Sequence, residues 1–523
     1  MITKWKLGNF RSIRDNTVLD FAPLTFFAGA NSSGKSTILK SILLIAQTLS
    51  QKDPSRPVVL NGNLIKLGNF SDNISDNSTS NQLVIGWECV PFNDTLVHVD
   101  EIMKKKKGQY TSIPESIHCE IAVAPSDSES HLPTGHYGVI DLYRSHLAAG
   151  HSSLNVRRSD IHTIGTKKKW VNATWDKDIR NGLSYVIEDG ESHVYDDFDF
   201  ILLPPNTLKE EYTRTDIGYI FQNFLPVQIV IGEEWIDKSD NMHLRVFKRS
   251  LSSEYESATQ YITHFFSKSL HYLGPLRASS KSLYARFSNS VENSIGLKGE
   301  NTPEVLERHK GKIIRYISSS SFATPGNISE SFECSLLDAV VDWLGYLGIA
   351  DTIETIDKGK YGLELGVRIR NSNKINDLTQ VGVGVSQVLP ILVSCLMAEP
   401  DSTLIFEQPE LHLHPKVQSR LADFFLSITQ IGKQCLIETH SEHIINRIRL
   451  RIAEGSEGSP WHDAAKVYFV ENKNDSSTFR EIKIDECGSI LVWPEGFFDE
   501  RQQETERILR AASQKDVKNW KDN

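Results

Sequence analysis

Apolar and polar positions alternate over residues 1–6, the pattern of a strand with one buried face. Residues 21–28 form a continuous apolar run and predict a strand covered on both sides. After a glycine-bearing loop, residues 36–47 place Ile38, Leu39, Ile42, Leu43 and Ala46 at helical spacing. Leu60-Asn61-Gly62 and residues 66–70 read as turns, and 82–89 as a further strand. The alternation returns late in the chain. It predicts strands at 363–370, 402–406 and 434–439, and helices from 386, over 415–428 and around 442–450. Strands alternating with helices predict an α/β fold with a mixed, largely parallel sheet covered on both faces.

The middle of the chain differs. Ser, Asn and Asp cluster in turns there, and no heptad pattern runs long enough for a coiled coil. Four segments are therefore expected. Residues 1–90 and 269–465 would be the two halves of one core, 91–268 a mixed α+β insertion between them, and 466–523 a small C-terminal extension. That extension holds an extended pair, then Trp493-Pro494-Glu495-Gly496-Phe497-Phe498, then a charged helix.

The net charge of −10 does not attract nucleic acid, so such contacts would need local basic patches. Lys104, Lys105, Lys106 and Lys107 are one candidate; Lys167, Lys168 and Lys169, followed by Trp170, are another. A solvated loop is the plainer reading of the first run, and a half-buried strand aromatic that of Trp170. Arg447, Arg449 and Arg451 suggest a third patch. The six cysteines include no Cys-x-x-Cys pair, which argues against a disulfide framework or a thiolate zinc site and fits a reducing cytosol. The richest apolar run, 388–398, is far short of a membrane span, and the N-terminus lacks an apolar signal core. A cytoplasmic protein with no membrane partner is expected.

Four short segments carry chemistry. Gly29-Ala30-Asn31-Ser32-Ser33-Gly34-Lys35-Ser36 matches G-x-x-x-x-G-K-[ST] between a predicted strand and a predicted helix. Backbone amides there cradle phosphates, Lys35 supplies fixed charge, and Ser36 offers a hydroxyl to Mg²⁺. Asn31, Ser32, Ser33, Gly34, Lys35, Ser36 and Thr37 are the candidate ATP contacts. Thr403-Leu404-Ile405-Phe406-Glu407 is an apolar strand ending in a carboxylate, which predicts Glu407 as the second Mg²⁺ contact. The position that usually polarises water is Gln408, whose amide orients water but takes no proton. Glu410 is the nearest spare carboxylate, with a helix-entry role as the alternative. Hydrolysis should accordingly be slow or gated. His440, after the strand 434–439, is placed to sense a terminal phosphate. His412 and His414 suggest a metal pair, but no third ligand is evident. Finally, Gln380-Val381-Gly382-Val383-Gly384-Val385-Ser386-Gln387 puts glycines and a hydroxyl at a helix start, a second anion-binding surface.

Taken together, in this order, the four segments resemble the ATP-binding-cassette (ABC) type of ATPase head within the AAA ATPases. Structural-maintenance-of-chromosomes (SMC) proteins, the Rad-fifty repair ATPase and the overcoming-lysogenization-defect family share that head. The resemblance implies two heads sandwiching two ATP molecules, with Gly382, Gly384, Ser386 and Gln387 in a signature loop acting on the partner copy's nucleotide. It also implies His440 as the switch histidine and a homodimer or higher oligomer. Asn9-Phe10-Arg11-Ser12, Leu273-Gly274-Pro275-Leu276-Arg277, the run from Glu407 to Pro415 and the Trp-Pro-Glu-Gly-Phe-Phe tail bring the chain closer to a bacterial subgroup with a C-terminal domain of unknown function. That subgroup is similar to the ATPase subunit of Septu antiphage systems, including retron-associated ones. The likeness implies an HNH-type nuclease partner and contact with DNA or a retron RNA/DNA complex. Overcoming-lysogenization-defect proteins carry a Toprim nuclease after the switch histidine; the stretch after His440 lacks its length and acidic spacing. Three rivals stay open: a DNA-stimulated repair ATPase, the nucleotide-binding subunit of an importer, and a stand-alone nuclease.

Overall fold

A computed structural model of the chain describes residues 1–51, 56–76, 78, 80–91, 115–125, 140–149, 152–157, 211–236, 242–251, 253–285, 294–323, 330–369, 374–455, 461–494, 496–498 and 503–512. Lys104 to Lys107, Lys167 to Lys169 and Trp170 lie outside the described residues.

A central sheet of six strands runs in the spatial order β11 (Leu270–Leu273), β17 (Thr403–Glu407), β18 (Gln434–Thr439), β3 (Leu24–Gly29), β19 (Ala465–Lys473) and β20 (Ser476–Glu481). Every pairing is parallel except the last, β19 with β20. The expected mixed, largely parallel sheet is what the chain forms. Its covered character shows in the alternation of side chains. Leu24, Phe26 and Ala28 of β3, Leu404 and Phe406 of β17, and Cys435 and Ile437 of β18 enter one apolar core. Their neighbours Phe27, Ile405 and Leu436 enter another on the opposite face. Strands buried on both faces need apolar sequence at consecutive positions, and this is why Phe26 to Ala28 and Leu404 to Phe406 do not alternate with polar residues.

On the first face lie α4 (Leu336–Leu347), α5 (Gly384–Met397), α6 (Pro415–Gln430), α7 (Glu442–Glu454) and the short α3 (Thr302–His309) and α8 (Trp461–Ala464). Two small antiparallel sheets flank them. One pairs β12 (Ile313–Tyr316) with β13 (Phe332–Ser335). The other joins β14 (Thr352–Asp357), β15 (Leu363–Arg368) and β16 (Ile375–Asp377). On the second face lie α1 (Lys35–Leu49) and α2 (Ser253–His264). They pack against an antiparallel sheet ordered β2 (Thr17–Asp20), β1 (Ile2–Gly8), β4 (Leu83–Cys89), β5 (Ile117–Pro125), β6 (Ile140–Ala149), β7 (Ser152–Arg157). Trp5 of β1 stacks on Trp87 of β4 and donates its indole N–H to Ser41 Oγ of α1 at 2.8 Å. A third antiparallel sheet joins β8 (Glu211–Gln222), β9 (Leu225–Ile236) and β10 (Met242–Ser250).

Two features of this arrangement cut across the segments expected from sequence. The division at residue 90 falls inside one sheet, because β4 pairs antiparallel with β5 from Leu83↔Val123 to Cys89↔Ile117. The stretch 466–523 opens inside the central sheet, with β19 hydrogen-bonded directly to β3. Among the described residues, no helix is long and apolar enough to cross a membrane.

Candidate active site

Parallel packing brings the C-terminal ends of β17, β18 and β3 to one edge, the place where open α/β sheets receive ligands. In register, Glu407 stands beside Glu438, and Thr439 beside Ala28. Two carboxylate-bearing strand ends therefore face the loop at 29–34.

α1 leaves that loop with Gly34 as its N-cap, in the left-handed region at φ 101°, without a side-chain cap or an acidic residue in its first turn. Its first amides and positive dipole end are available to an anion. A Cβ on Gly34 would collide with Ser477 Oγ and Ser12 Oγ, and one on Gly29 with the Val470 carbonyl. Gly34→Ala should thus lower the melting temperature and nucleotide affinity together; a thermal melt and a titration check this, and no change in either would refute the close approach. Asn31 and Ser32 are exposed at the crest of the loop. Ser33 is buried, its carbonyl accepting from Ser477 Oγ at 2.7 Å, and Thr37 Oγ1 lies 3.2 Å from Ser12 Oγ. Ser477 N also donates to Ser12 O at 2.6 Å, so β20 braces the loop from behind.

Lys35 Nζ donates to the carbonyls of Gly29 (3.1 Å) and Ala30 (2.5 Å). Burial pulls its pKa down, against the charges of Glu438 and Glu410. Ser36 Oγ donates to Glu438 Oε2 at 2.7 Å. Glu407 Oε1 accepts from the Tyr272 hydroxyl on β11 at 2.8 Å; burial, then Glu438, holds its pKa above the usual carboxylate range. Gln408 sits at φ 45°, its backbone N–H donating to Glu438 O at 2.8 Å. Glu410 is buried: His440 N donates to its Oε1 at 2.6 Å, while its Oε2 has no hydrogen-bond partner. Burial raises its pKa also. His440 is half-buried, its pKa lowered by burial and then by Lys35, so the ring is mostly neutral at pH 7. The edge thus joins a cationic loop to three buried carboxylates.

The profile of the AAA ATPase domain family matches residues 1–445. The chain belongs to that family. A second profile, a protein of unknown function (DUF3696), matches residues 461–508. No curated protein sequence matches the chain. Among solved structures, it is similar to the SmcHead bound to the C-winged helix domain of ScpA. Identity there is 11%, TM-score 0.41, with 93% of this chain and 98% of that one covered. The SMC head domain from Thermotoga maritima is matched at 8% identity and TM-score 0.37, covering 92% and 99% of the two chains. A Pyrococcus furiosus Smc head domain with an extended coiled coil, bound to the C-terminal domain of ScpA, is matched at 13% identity and TM-score 0.38, covering 98% and 99%.

In this AAA ATPase, the phosphate loop, Glu407, Gln408, Glu410 and His440 come together at one edge. The segment 382–387 does not join them through its own bonds. Ser386 Oγ and Gln387 N both donate to Val383 O, a Cβ on Gly382 would meet open space, and Val383 is exposed at the start of α5. His412 is exposed and left-handed, while His414 Nδ1 caps α6 by accepting from Lys416 N at 3.2 Å. Among the described residues, no group of three or more His, Cys, Asp or Glu side chains could hold a metal.

The arginine patch suggested by sequence is corrected: Arg447 and Arg451 are held by buried Asp423, and Arg449 donates to Gly488 O and lies over the Trp493 ring. Sequence reasoning passed over Glu438 and Tyr272. The signal for Glu438 was present, since Cys435-Leu436-Ile437-Glu438 repeats the apolar-strand-then-carboxylate pattern of Leu404-Ile405-Phe406-Glu407. Tyr272 had none, because only sheet pairing brings β11 beside β17.

Proposed function

We propose that the chain is an ATP-held clamp: an ABC-type head that dimerises around ATP and regulates a separate nuclease in a prokaryotic antiphage complex. The observation that carries its chemistry is the uncapped start of α1, with Lys35 and Ser36, set against Glu407, Glu438 and Glu410. Exposed Gly382 and Val383, leading into the first turn of α5, support a role in trans, since a surface segment can reach a second copy. The defence role and the nuclease partner rest on the sequence resemblance alone, and the assignment of the basic runs in 91–268 to nucleic acid rests on their local charge.

The residues fit Mg²⁺. Ser36 Oγ, Glu438 and Glu407 form a set of hard oxygen donors, and Mg²⁺ takes one or two carboxylates alongside substrate phosphates. When bound, the ion would neutralise charge on the phosphates. Loop amides and Lys35 grip the phosphates, and Gln408 orients water. Glu410 Oε2, buried and unpartnered, receives a proton from the attacking water as its oxygen bonds the terminal phosphorus and the bond to the bridging oxygen breaks. His440 reports loss of that phosphate. Glu410 is not adjacent to Glu407, and its other oxygen is tied to the His440 backbone, so hydrolysis is slow and gated by movement of that segment.

The test is ATP turnover and solution mass of the purified chain, with and without DNA, using Lys35→Ala as the blank. ATP should convert monomer to dimer, with slow turnover that DNA does not accelerate. Dimer-free ATP binding would sink the sandwich. DNA-accelerated steady turnover would instead favour the repair-type ATPase.

A further inference from the structure

We propose that Arg277 is a second cation reading the terminal phosphate from within the same subunit, so that ATP is told from ADP by this guanidinium as well as by Lys35. The inference rests on the nucleotide reading of the site and deepens it.

Arg277 follows β11 on a short loop whose ends are pinned: Gly274 N donates to Leu297 O at 2.9 Å and Ala278 N to Lys298 O at 2.8 Å. β11 itself is in parallel register with β17, Leu273 beside Phe406, so the loop is held next to Glu407. The guanidinium is largely buried, and its Nε and Nη1 have no hydrogen-bond partner. Among the described residues it is the one arginine with two such buried nitrogens. A guanidinium offers five N–H donors in a fixed fork, and burying them unpartnered is costly. The position therefore suits an acceptor that supplies more than one oxygen.

The surroundings say where that acceptor belongs. Glu407 and Glu410 are the carboxylates whose charge acts on Arg277, yet neither bonds its Nε or Nη1. Burial lowers its pKa to about 10, which leaves it protonated at neutral pH. Glu410 acts electrostatically on both Arg277 and Lys35, so the two cations lie within reach of one carboxylate. A phosphate gripped by Lys35 and projecting toward Glu410 therefore comes to the guanidinium fork. Arginine meets phosphate oxygens two at a time, which matches two orphan donors. ADP lacks the oxygens that would reach it.

Affinities of the full chain for a β,γ-imido ATP analogue and for ADP, both with Mg²⁺, test this in wild type, Arg277→Gln and Arg277→Lys. A charge-assisted pair of hydrogen bonds predicts roughly ten- to hundredfold weaker triphosphate binding in Arg277→Gln, with ADP changed by less than about twofold. Arg277→Lys, which keeps charge without the fork, should fall between. Equal weakening of both nucleotides, or no change in either, would overturn the proposal by making Arg277 a partner of the carboxylates alone. If Arg277→Gln fails to fold in a melting control, Arg277→Lys decides by the same ratio. Wild type that binds neither nucleotide would instead bring down the nucleotide reading itself.

Discussion

Glu410→Gln should lower single-turnover ATP cleavage by roughly 10²–10⁴-fold, the usual contribution of a positioned general base. Nucleotide affinity should hold, because Gln keeps an oxygen to accept from His440 N and loses only the proton-accepting carboxylate. The same exchange should raise the melting temperature of the nucleotide-free protein near neutral pH. Burial holds the Glu410 pKa above its unfolded value, so its ionised form is disfavoured in the folded state. A group with a raised folded pKa contributes stability below the unfolded pKa, and that contribution is lost as pH rises through the folded one. The melting advantage of Glu410→Gln should therefore be present at neutral pH and shrink as pH falls through the raised pKa toward the ordinary carboxylate range. Unchanged cleavage would remove Glu410 from the chemistry and return attention to Gln408. A lower melting temperature across the whole range would mean its carboxylate is a structural anchor.

Asp423→Ala is expected to produce the largest loss of stability. Asp423 on α6 is fully buried and receives Arg447 Nε at 3.0 Å and Nη2 at 2.8 Å, Arg451 Nε at 2.7 Å and the Tyr346 hydroxyl at 2.6 Å. Arg451 Nη2 also donates to Phe322 O at 2.7 Å. One carboxylate thus ties α4, α6 and α7 together. Removing it takes away the buried counter-charge that Arg447 and Arg451 share and leaves Arg451 its pair with Glu454 at 2.8 Å, a defect of about 3–5 kcal/mol. Urea denaturation should show the midpoint falling with little change in slope. Asp423→Asn keeps acceptor and shape without charge, so it should fall between wild type and Asp423→Ala. A loss below about 1 kcal/mol would place the pair among weak surface bridges. The consequence reaches the site, since α7 begins two residues after His440.

Wherever a local rule speaks with one voice, the elements were legible. The apolar run before Gly29, the spacing of Ile38 to Ala46, and Pro415 at the start of an amphipathic helix fall within a few residues of β3, α1 and α6. The Gly-x-x-x-x-Gly-Lys-Ser loop was legible for the same reason: its glycine turn and the bonds of Lys35 to Gly29 and Ala30 are made within a few residues. The tail was not. Residues 466–481 look like an appended pair, and nothing local says that β19 will lie against β3 or that Ser477 will brace Ser33. The Arg447, Arg449 and Arg451 cluster misled because charge spacing along one helix is silent about Asp423 on another.

Sequence alone therefore determined what each short segment can do: a loop that cradles phosphate, strands that end in carboxylates, and membership of an alternating α/β core. Hydrophobic period and turn chemistry are properties of neighbouring residues, so they are written where they act. Only the tertiary structure decided which segments meet. Parallel pairing across hundreds of residues set Glu438 beside Glu407 and under Ser36, brought Tyr272 to Glu407, and put Arg277, with two buried and unpartnered nitrogens, on the loop after the neighbouring strand. Burial then shifted Lys35, Glu407, Glu410 and His440 from their ordinary protonation behaviour. Desolvation depends on everything packed around a group, and no stretch of sequence near that group contains it.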